Sequence, residues 1–237
     1  MVKGLYESAN SLYFKQKNLE IVAENLANIN TKGYKRESPF AELMSRFDTD
    51  EIKQNNYTDY SSGVISKTDN PLDFAIDGNA YFVIETNDGV ELTKKGKFKI
   101  DKDGYLVTED GYKLMSNNGY VNLGSDWERN LEEFSVDING EIKVNKNIVG
   151  KLLVATIDDP KVVERKAGLN FAMRDNNLKL APNDQFKVLQ GHLEDSNVNP
   201  IQEMQQMIEI DKSFQAVQKV INTLDDSLEK ANQIGRL

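Results

Sequence analysis

The side chains with most chemical reach in this sequence are one histidine and several paired carboxylates. His192 stands in Gln190-Gly191-His192-Leu193-Glu194-Asp195, so an imidazole and two acids fall within four positions. Those groups could ligate a metal, but a zinc site needs three or four protein donors drawn mainly from histidine and cysteine. With one histidine and no cysteine in 237 residues, no second strong ligand exists, and neither a metal nor any cofactor is expected. The absence of cysteine also removes disulfides and thiolate nucleophiles. Glu132-Glu133, Asp158-Asp159 and Asp225-Asp226 have the residue types for acid–base hydrolysis of glycosides, in which one carboxyl protonates the leaving oxygen. In a chain with 38 acidic residues, solvated surface explains adjacent acids better. Asp101-Lys102-Asp103-Gly104 has the look of a calcium loop. Its glycine comes fourth, however, where an EF-hand has it sixth, so a hairpin turn is expected. No phosphate-cradling glycine loop, no Gly-x-Ser-x-Gly elbow and no basic-aromatic strip occurs. Asn56-Tyr57-Thr58 matches a glycosylation sequon only in letters. An enzyme is not expected, nor is a small-molecule substrate.

Charge narrows the partners further. The formal net charge is -9, which argues against nucleic acid, because phosphate binding draws on clustered lysine and arginine. Anionic membrane surfaces are disfavoured likewise. No stretch approaches the roughly 20 apolar residues of a membrane span. Lys15, Lys17, Glu20 and Glu24 interrupt the N-terminal region, so no cleaved signal peptide is expected.

The regular spacing lies at the two ends. Val2, Leu5, Ala9, Leu12, Gln16, Leu19, Ala23 and Leu26 alternate steps of three and four, a heptad seam with one polar break. The spacing predicts a helix over 2–30, closed by a left-handed Gly33 with Tyr34 folding back onto the last turn. At the other end Asn199 can cap a helix, Pro200 suits its first position, and Gln202 stands where a capping box would place it. Met207, Ile210, Phe214, Val217, Ile221, Leu224, Leu228 and Ala231 continue an unbroken seam, predicting a helix over 200–234. At about 1.5 Å per residue it would be roughly 50 Å long.

Between the ends the period changes. Phe74–Ile76, Tyr81–Ile84, Lys97–Ile100 and Tyr105–Val107 are short β-prone runs set off by Asp77-Gly78, Asp88-Gly89, Asp103-Gly104 and Asp110-Gly111, which read as hairpin turns. Further strands are expected over 134–138, 141–144, 149–157 and 186–189. The expected class is α+β: long N- and C-terminal helices forming a coiled-coil-like pair, with a mainly antiparallel β domain between them. The expected division is 1–36 with 197–237 for the helices, 68–196 for the β domain, and 37–67 for a polar connector with at most a short helix over 40–47.

A lone amphipathic helix leaves its seam wet, forgoing roughly 1.5–3 kcal/mol per large side chain against an ordering cost of about 1–2 kcal/mol per residue. Paired helices still have only two faces of core. Tyr13, Phe14, Ile21, Val22, Ile201, Met204 and Ile208 lie partly off the seams, so apolar surface should remain for neighbouring subunits. Spacing alone also fits two other arrangements: a coiled-coil stem carrying a β head, or helices packed onto the β domain as one core.

Four blocks of sequence resemble the flagellar basal-body rod and hook protein family. Val22-Ala23-Glu24-Asn25-Leu26-Ala27-Asn28-Ile29-Asn30-Thr31-Lys32-Gly33-Tyr34 is similar to its N-terminal signature. Thr68-Asp69-Asn70-Pro71-Leu72-Asp73-Phe74-Ala75-Ile76-Asp77-Gly78, with the Gly96–Phe98, Asp103–Thr108 and Gly111-Tyr112 runs after it, resembles the opening of its β domain. Gly191-His192-Leu193-Glu194-Asp195-Ser196-Asn197-Val198-Asn199 resembles the motif before its C-terminal helix, continued by Glu203-Met204 and Met207-Ile208-Glu209. The departure is Lys212, where the family often carries arginine ahead of the aromatic.

The resemblance implies a structural rod subunit, most like a proximal one, in the periplasmic rod of the flagellar basal body. Its implied partners are other copies of itself, neighbouring rod and hook proteins, and the flagellar type III export machinery. The implied interface is Leu5, Leu12, Leu19, Leu26, Met207, Ile208, Phe214, Val217, Ile221, Leu224 and Leu228 on the helices, with Asn25, Asn28, Gly33, Tyr34, Asn197 and Asn199 at their roots. A non-polymerising adaptor or cap of the export and assembly system is the alternative. A cell-wall hydrolase using Glu194 is the third reading.

Overall fold

The computed structural model describes residues 2–41, 54–124, 127, 131, 133–145, 147–159, 163–166, 169–173 and 178–234. They fall into two compact units: one of residues 1–29, 36–59 and 198–237, the other of 30–35 and 60–197.

The first unit contains α1 (Val2–Ala27), β1 (Glu37–Ala41), β2 (Gln54–Thr58) and α2 (Pro200–Ile234). α2 starts where its sequence says it should. Asn199 Oδ1 accepts from Ile201 N at 3.0 Å and Gln202 N at 3.4 Å, satisfying donors that have no partner inside the helix. α1 stops at Ala27, three residues before the expected end, as Asn28 Nδ2 donates back to Glu24 O at 2.9 Å. β1 and β2 pair from Glu37↔Thr58 to Ala41↔Gln54, and β1 packs on α1. Phe40 and Ala41 are therefore strand, not the short helix expected there; 42–47 lie outside the described residues.

The coiled-coil-like helix pair expected to define the fold is corrected by the structure. α1 and α2 do pack together, but they hold only 26 and 35 of the 237 residues, and eighteen strands are found among the described residues. Nor does α1 bury a heptad seam. Ala9, Gln16 and Ala23 are exposed and Leu12, Leu19 and Leu26 half-buried, whereas Ile21, Val22 and Asn25 are buried. The physical reason is polar content: Ser8, Ser11, Lys15 and Asn18 share the covered side of α1, and Lys15 Nζ reaches Ser213 Oγ on α2. A knobs-into-holes seam needs apolar side chains at those positions.

The second unit is antiparallel β. Its strands are β3 (Ile65–Lys67), β4 (Phe74–Asp77), β5 (Tyr81–Thr86), β6 (Gly89–Thr93), β7 (Phe98–Ile100), β8 (Leu106–Thr108), β9 (Lys113–Ser116), β10 (Gly119–Tyr120), β11 (Ser135–Val136), β12 (Glu141–Val144), β13 (Asn147–Lys151), β14 (Val154–Ala155), β15 (Val163–Arg165), β16 (Phe171–Met173), β17 (Lys187–Gln190) and β18 (His192–Glu194). The main sheet runs β15-β16-β6-β5-β9-β8-β7, with β14 beside β5 and β10 beside β9. Because side chains alternate along a strand, Phe82 and Ile84 of β5 enter one core with Phe74, Phe98 and Leu114. Tyr81 and Val83 enter a second with Leu92, Ala155 and Phe171. β5 is buried on both faces, so it reads as a continuous apolar run.

Three of the four Asp-Gly pairs make the turns of adjacent paired strands; Asp77-Gly78 does not, since β4 pairs with β17 near the other end of the chain. The calcium-like loop is a turn closed by its own aspartate. Asp101 Oδ1 accepts from Asp103 N at 2.9 Å and Tyr105 N at 2.8 Å, and Asp137 repeats the device with Asn139 N and Glu141 N, both at 2.9 Å.

Candidate assembly site

Two polar clusters gather the segments on either side of the helix roots, one within each unit. In the first unit the centre is Asn25, fully buried on α1. Its Nδ2 donates to Glu37 O at 2.7 Å and to Glu203 Oε2 at 3.0 Å, while its Oδ1 accepts from Glu37 N at 3.0 Å. One amide thus ties α1, β1 and α2. Glu203, fully buried in the first turn of α2, also pairs with Arg36 Nε; Arg36 continues to Ser38 Oγ at 2.6 Å and Gln206 Oε1 at 3.2 Å. A buried carboxylate is tolerable only with such partners.

In the second unit Glu194 lies between two lysines, all three side chains about 1% exposed. Lys35 Nζ is 2.6 Å from Glu194 Oε1 and donates to Ser61 O at 2.7 Å. Lys94 Nζ is 3.1 Å from Glu194 Oε2 and donates to Ile76 O at 3.0 Å and Gly78 O at 2.9 Å. Gly63 N donates to Glu194 Oε1 at 2.9 Å. Burial pushes the Lys94 ammonium down to about 8; Glu194 resists that change and Lys35 adds to it. Burial likewise pushes the Tyr81 hydroxyl up. Two cations share one anion here, and at about 1% exposure Glu194 is out of a substrate's reach. The hydrolase reading loses the residue it relied on.

Gly33 has a φ of 72° and its N donates to Glu194 O at 2.8 Å. A Cβ there would stand 2.5 Å from the Lys94 carbonyl. The left-handed turn therefore serves a close backbone approach rather than the helix end, which is six residues earlier. Tyr34, also expected on that helix end, is fully buried in the second unit, with the Arg165 guanidinium 4.6 Å over its ring. Asn197 Nδ2 donates to Ser61 O at 3.1 Å.

His192 is half-buried, its Nδ1 2.7 Å from Gln190 O. Among the described residues no three His, Cys, Asp or Glu side chains gather as a metal cage. Asp158 pairs with Lys179, Glu133, Asp225 and Asp226 are exposed, and Glu132 lies outside the described residues. No helix among the described residues is long and apolar enough to cross a membrane.

Along α2 every seam position from Met207 to Leu228, including Phe214, Val217, Ile221 and Leu224, is half-buried. Ile201, Met204 and Ile208 are 71%, 49% and 55% exposed on an adjoining stripe, and Tyr6 and Tyr13 are exposed on α1. Ile21 and Val22, expected to stay open for neighbours, are buried, and the side chain of Leu5 lies outside the described residues. Lys35, Arg36, Lys94 and Arg165 were not singled out by sequence reasoning, since a buried cation in a strand or loop leaves no periodic trace. Gly33 and Tyr34 were, as the closing turn of the first helix, and Asn25 through the resemblance.

Comparison with known proteins adds the family. Residues 7–35 match the flagella basal body rod protein family, 75–144 the D1 domain of flagellar hook proteins FlgE/F/G, and 189–234 the C-terminal region of flagellar basal body rod FlgEFG proteins. The chain is 32% identical to the flagellar basal-body rod protein FlgF of Rhizobium meliloti (strain 1021) over 241 residues, covering 98% of this chain and 97% of that protein. It is 30% identical to FlgF of Buchnera aphidicola subsp. Schizaphis graminum, over 99% and 98% of the two chains. It is 27% identical to the flagellar basal-body rod protein FlgG of Bacillus subtilis (strain 168), over the whole of both.

Proposed function

The chain belongs to the flagellar basal-body rod protein family and is a structural subunit of that rod, and we propose that it polymerises there through its two terminal helices. The supporting observation is the state of α2 in a single chain. Its apolar seam is only half covered and Ile201, Met204 and Ile208 stand largely in water. Covering a large apolar side chain is worth roughly 1.5–3 kcal/mol, so neighbouring subunits have a surface to gain. The partners in this reading are further copies of the chain and adjoining rod and hook proteins. Leu12, Leu19 and Leu26 with the α2 seam supply the contact, and Asn25, Asn28, Gly33, Tyr34, Asn197 and Asn199 hold the roots of the helices.

Transport by the flagellar type III machinery, a place in the periplasmic part of the rod, and a proximal position along it belong to the same reading. No catalytic role is assigned. The relatives lend the adaptor or cap alternative no support.

The test replaces Ile221, at the middle of the seam, with aspartate. Ile221→Asp is expected to abolish incorporation into basal bodies and swimming while leaving the β unit folded. A variant that swims normally overturns the reading.

A further inference from the structure

We infer that residues 30–35 form a strap that folds with the β unit and stays ordered in the unassembled subunit, locked by Glu194, so that preformed structure extends to Asn30 on one side and Asn197 on the other. By chain order the strap is the tail of α1. By contacts it is not. Gly33 N bonds Glu194 O at 2.8 Å, Lys32 pairs with Asp195, and Asn197 N bonds Tyr34 O at 3.4 Å. Lys35 O accepts from Arg165 Nη1 at 3.0 Å, and the Lys35 ammonium is held by Glu194 and Ser61. All of these partners lie inside the second unit.

The charges make the lock conditional. Lys35 is almost wholly buried, and a buried ammonium without its carboxylate is strongly disfavoured. Its carboxylate comes from residue 194, so the strap can close only when β18 has paired with β3, from Ile65↔Glu194 to Lys67↔His192. Closure therefore requires both ends of the β unit's sequence at once. It fixes the two points from which α1 and α2 depart, through short covalent tethers, before either helix meets a neighbour. Tethering of that kind replaces a free search by an effective concentration.

The purpose of the strap rests on the assembly reading above; its test does not. Amide exchange is followed on the dilute full-length chain at Gly33, Tyr34 and Gly63, at Val83 and Ile84 of β5, and at Leu19 and Ile221 of the helices. The strap is expected to exchange within about tenfold of β5 and at least about 100-fold more slowly than the helices. In Glu194→Gln the strap should speed up by about tenfold or more while β5 keeps its protection. Should that variant not fold, Lys32→Ala removes the half-exposed strap contact to Asp195 without stranding a buried charge, and a loss of protection confined to the strap is again expected. A strap as fast as the helices in the native chain overturns the inference, as does one unchanged in a folded variant. Normal rod incorporation of Ile221→Asp with the strap still protected overturns the assembly reading alone.

Discussion

Gly33 shows how much one position can carry. Its left-handed backbone and its contact with the Lys94 carbonyl leave no room for a side chain. Gly33→Ala is expected to lower the stability of the β unit by at least about 2 kcal/mol. Urea unfolding followed by the fluorescence of Trp127, which packs on the larger core, checks it. Lys94 carries a pH signature. Its ammonium titrates near 8 in the folded chain against 10.5 when unfolded, so between those values the unfolded chain holds more protons. Stability from this group must then rise with pH across that window, by up to about 3 kcal/mol, and be flat below it. Burial sets the direction; Glu194 and Asp77 oppose it and Lys35 reinforces it. Urea midpoints of the native chain and Lys94→Met between pH 7 and 10 should converge in favour of the native chain. Constant separation would show that Lys94 keeps its proton throughout.

Of the two helices, α2 was the more legible and α1 the less. Asn199, Pro200 and an unbroken apolar seam leave little freedom for α2, and its bounds are those expected. Asn199→Ala should cost about 1 kcal/mol of α2 stability, read from the helical circular dichroism against urea. α1 kept its helix but not its seam, because Asn25, Ile21 and Val22 are drawn inward by β1 and α2 rather than by a heptad partner. That makes Asn25→Asp informative. The new carboxylate would face Glu203 where an amide now donates across 3.0 Å. The expected cost is about 2 kcal/mol at pH 7, partly recovered near pH 5 as one of two facing acids protonates. Equal loss at both values would mean that geometry, not charge, is what Asn25 supplies. β1, β2, β3, β6, β9, β10, β15, β16 and β18 went unread, because pairing rather than local pattern makes them strands; β18 lies beside β3, far away in the sequence.

For the whole molecule the governing quantity is a net charge of -9 on a subunit read as packing against copies of itself. Like-charged subunits repel, and salt screens that repulsion over about 10 Å at 0.1 M. If burial of apolar stripes drives association, raising ionic strength from about 0.01 to 0.15 M should promote polymer formation in light scattering. Suppression by salt would instead point to intersubunit ion pairs as the main force.

The sequence by itself determined the amphipathic ends, the capped start of α2, three of the four Asp-Gly hairpins and the exclusion of thiol chemistry, because each depends on residues a few positions apart. The family resemblance was legible for the same reason, being carried by contiguous blocks. Only the tertiary structure decided where charge is buried. Glu194 meets Lys35 and Lys94 across 159 and 100 positions, and Glu203 meets Asn25 across 178. A lysine written in a loop looks solvated until the fold brings its carboxylate, and no local pattern encodes that meeting. The tertiary structure likewise moved Gly33 and Tyr34 from the end of a helix into the β unit, since backbone approach to Lys94 is a property of packing, not of spacing.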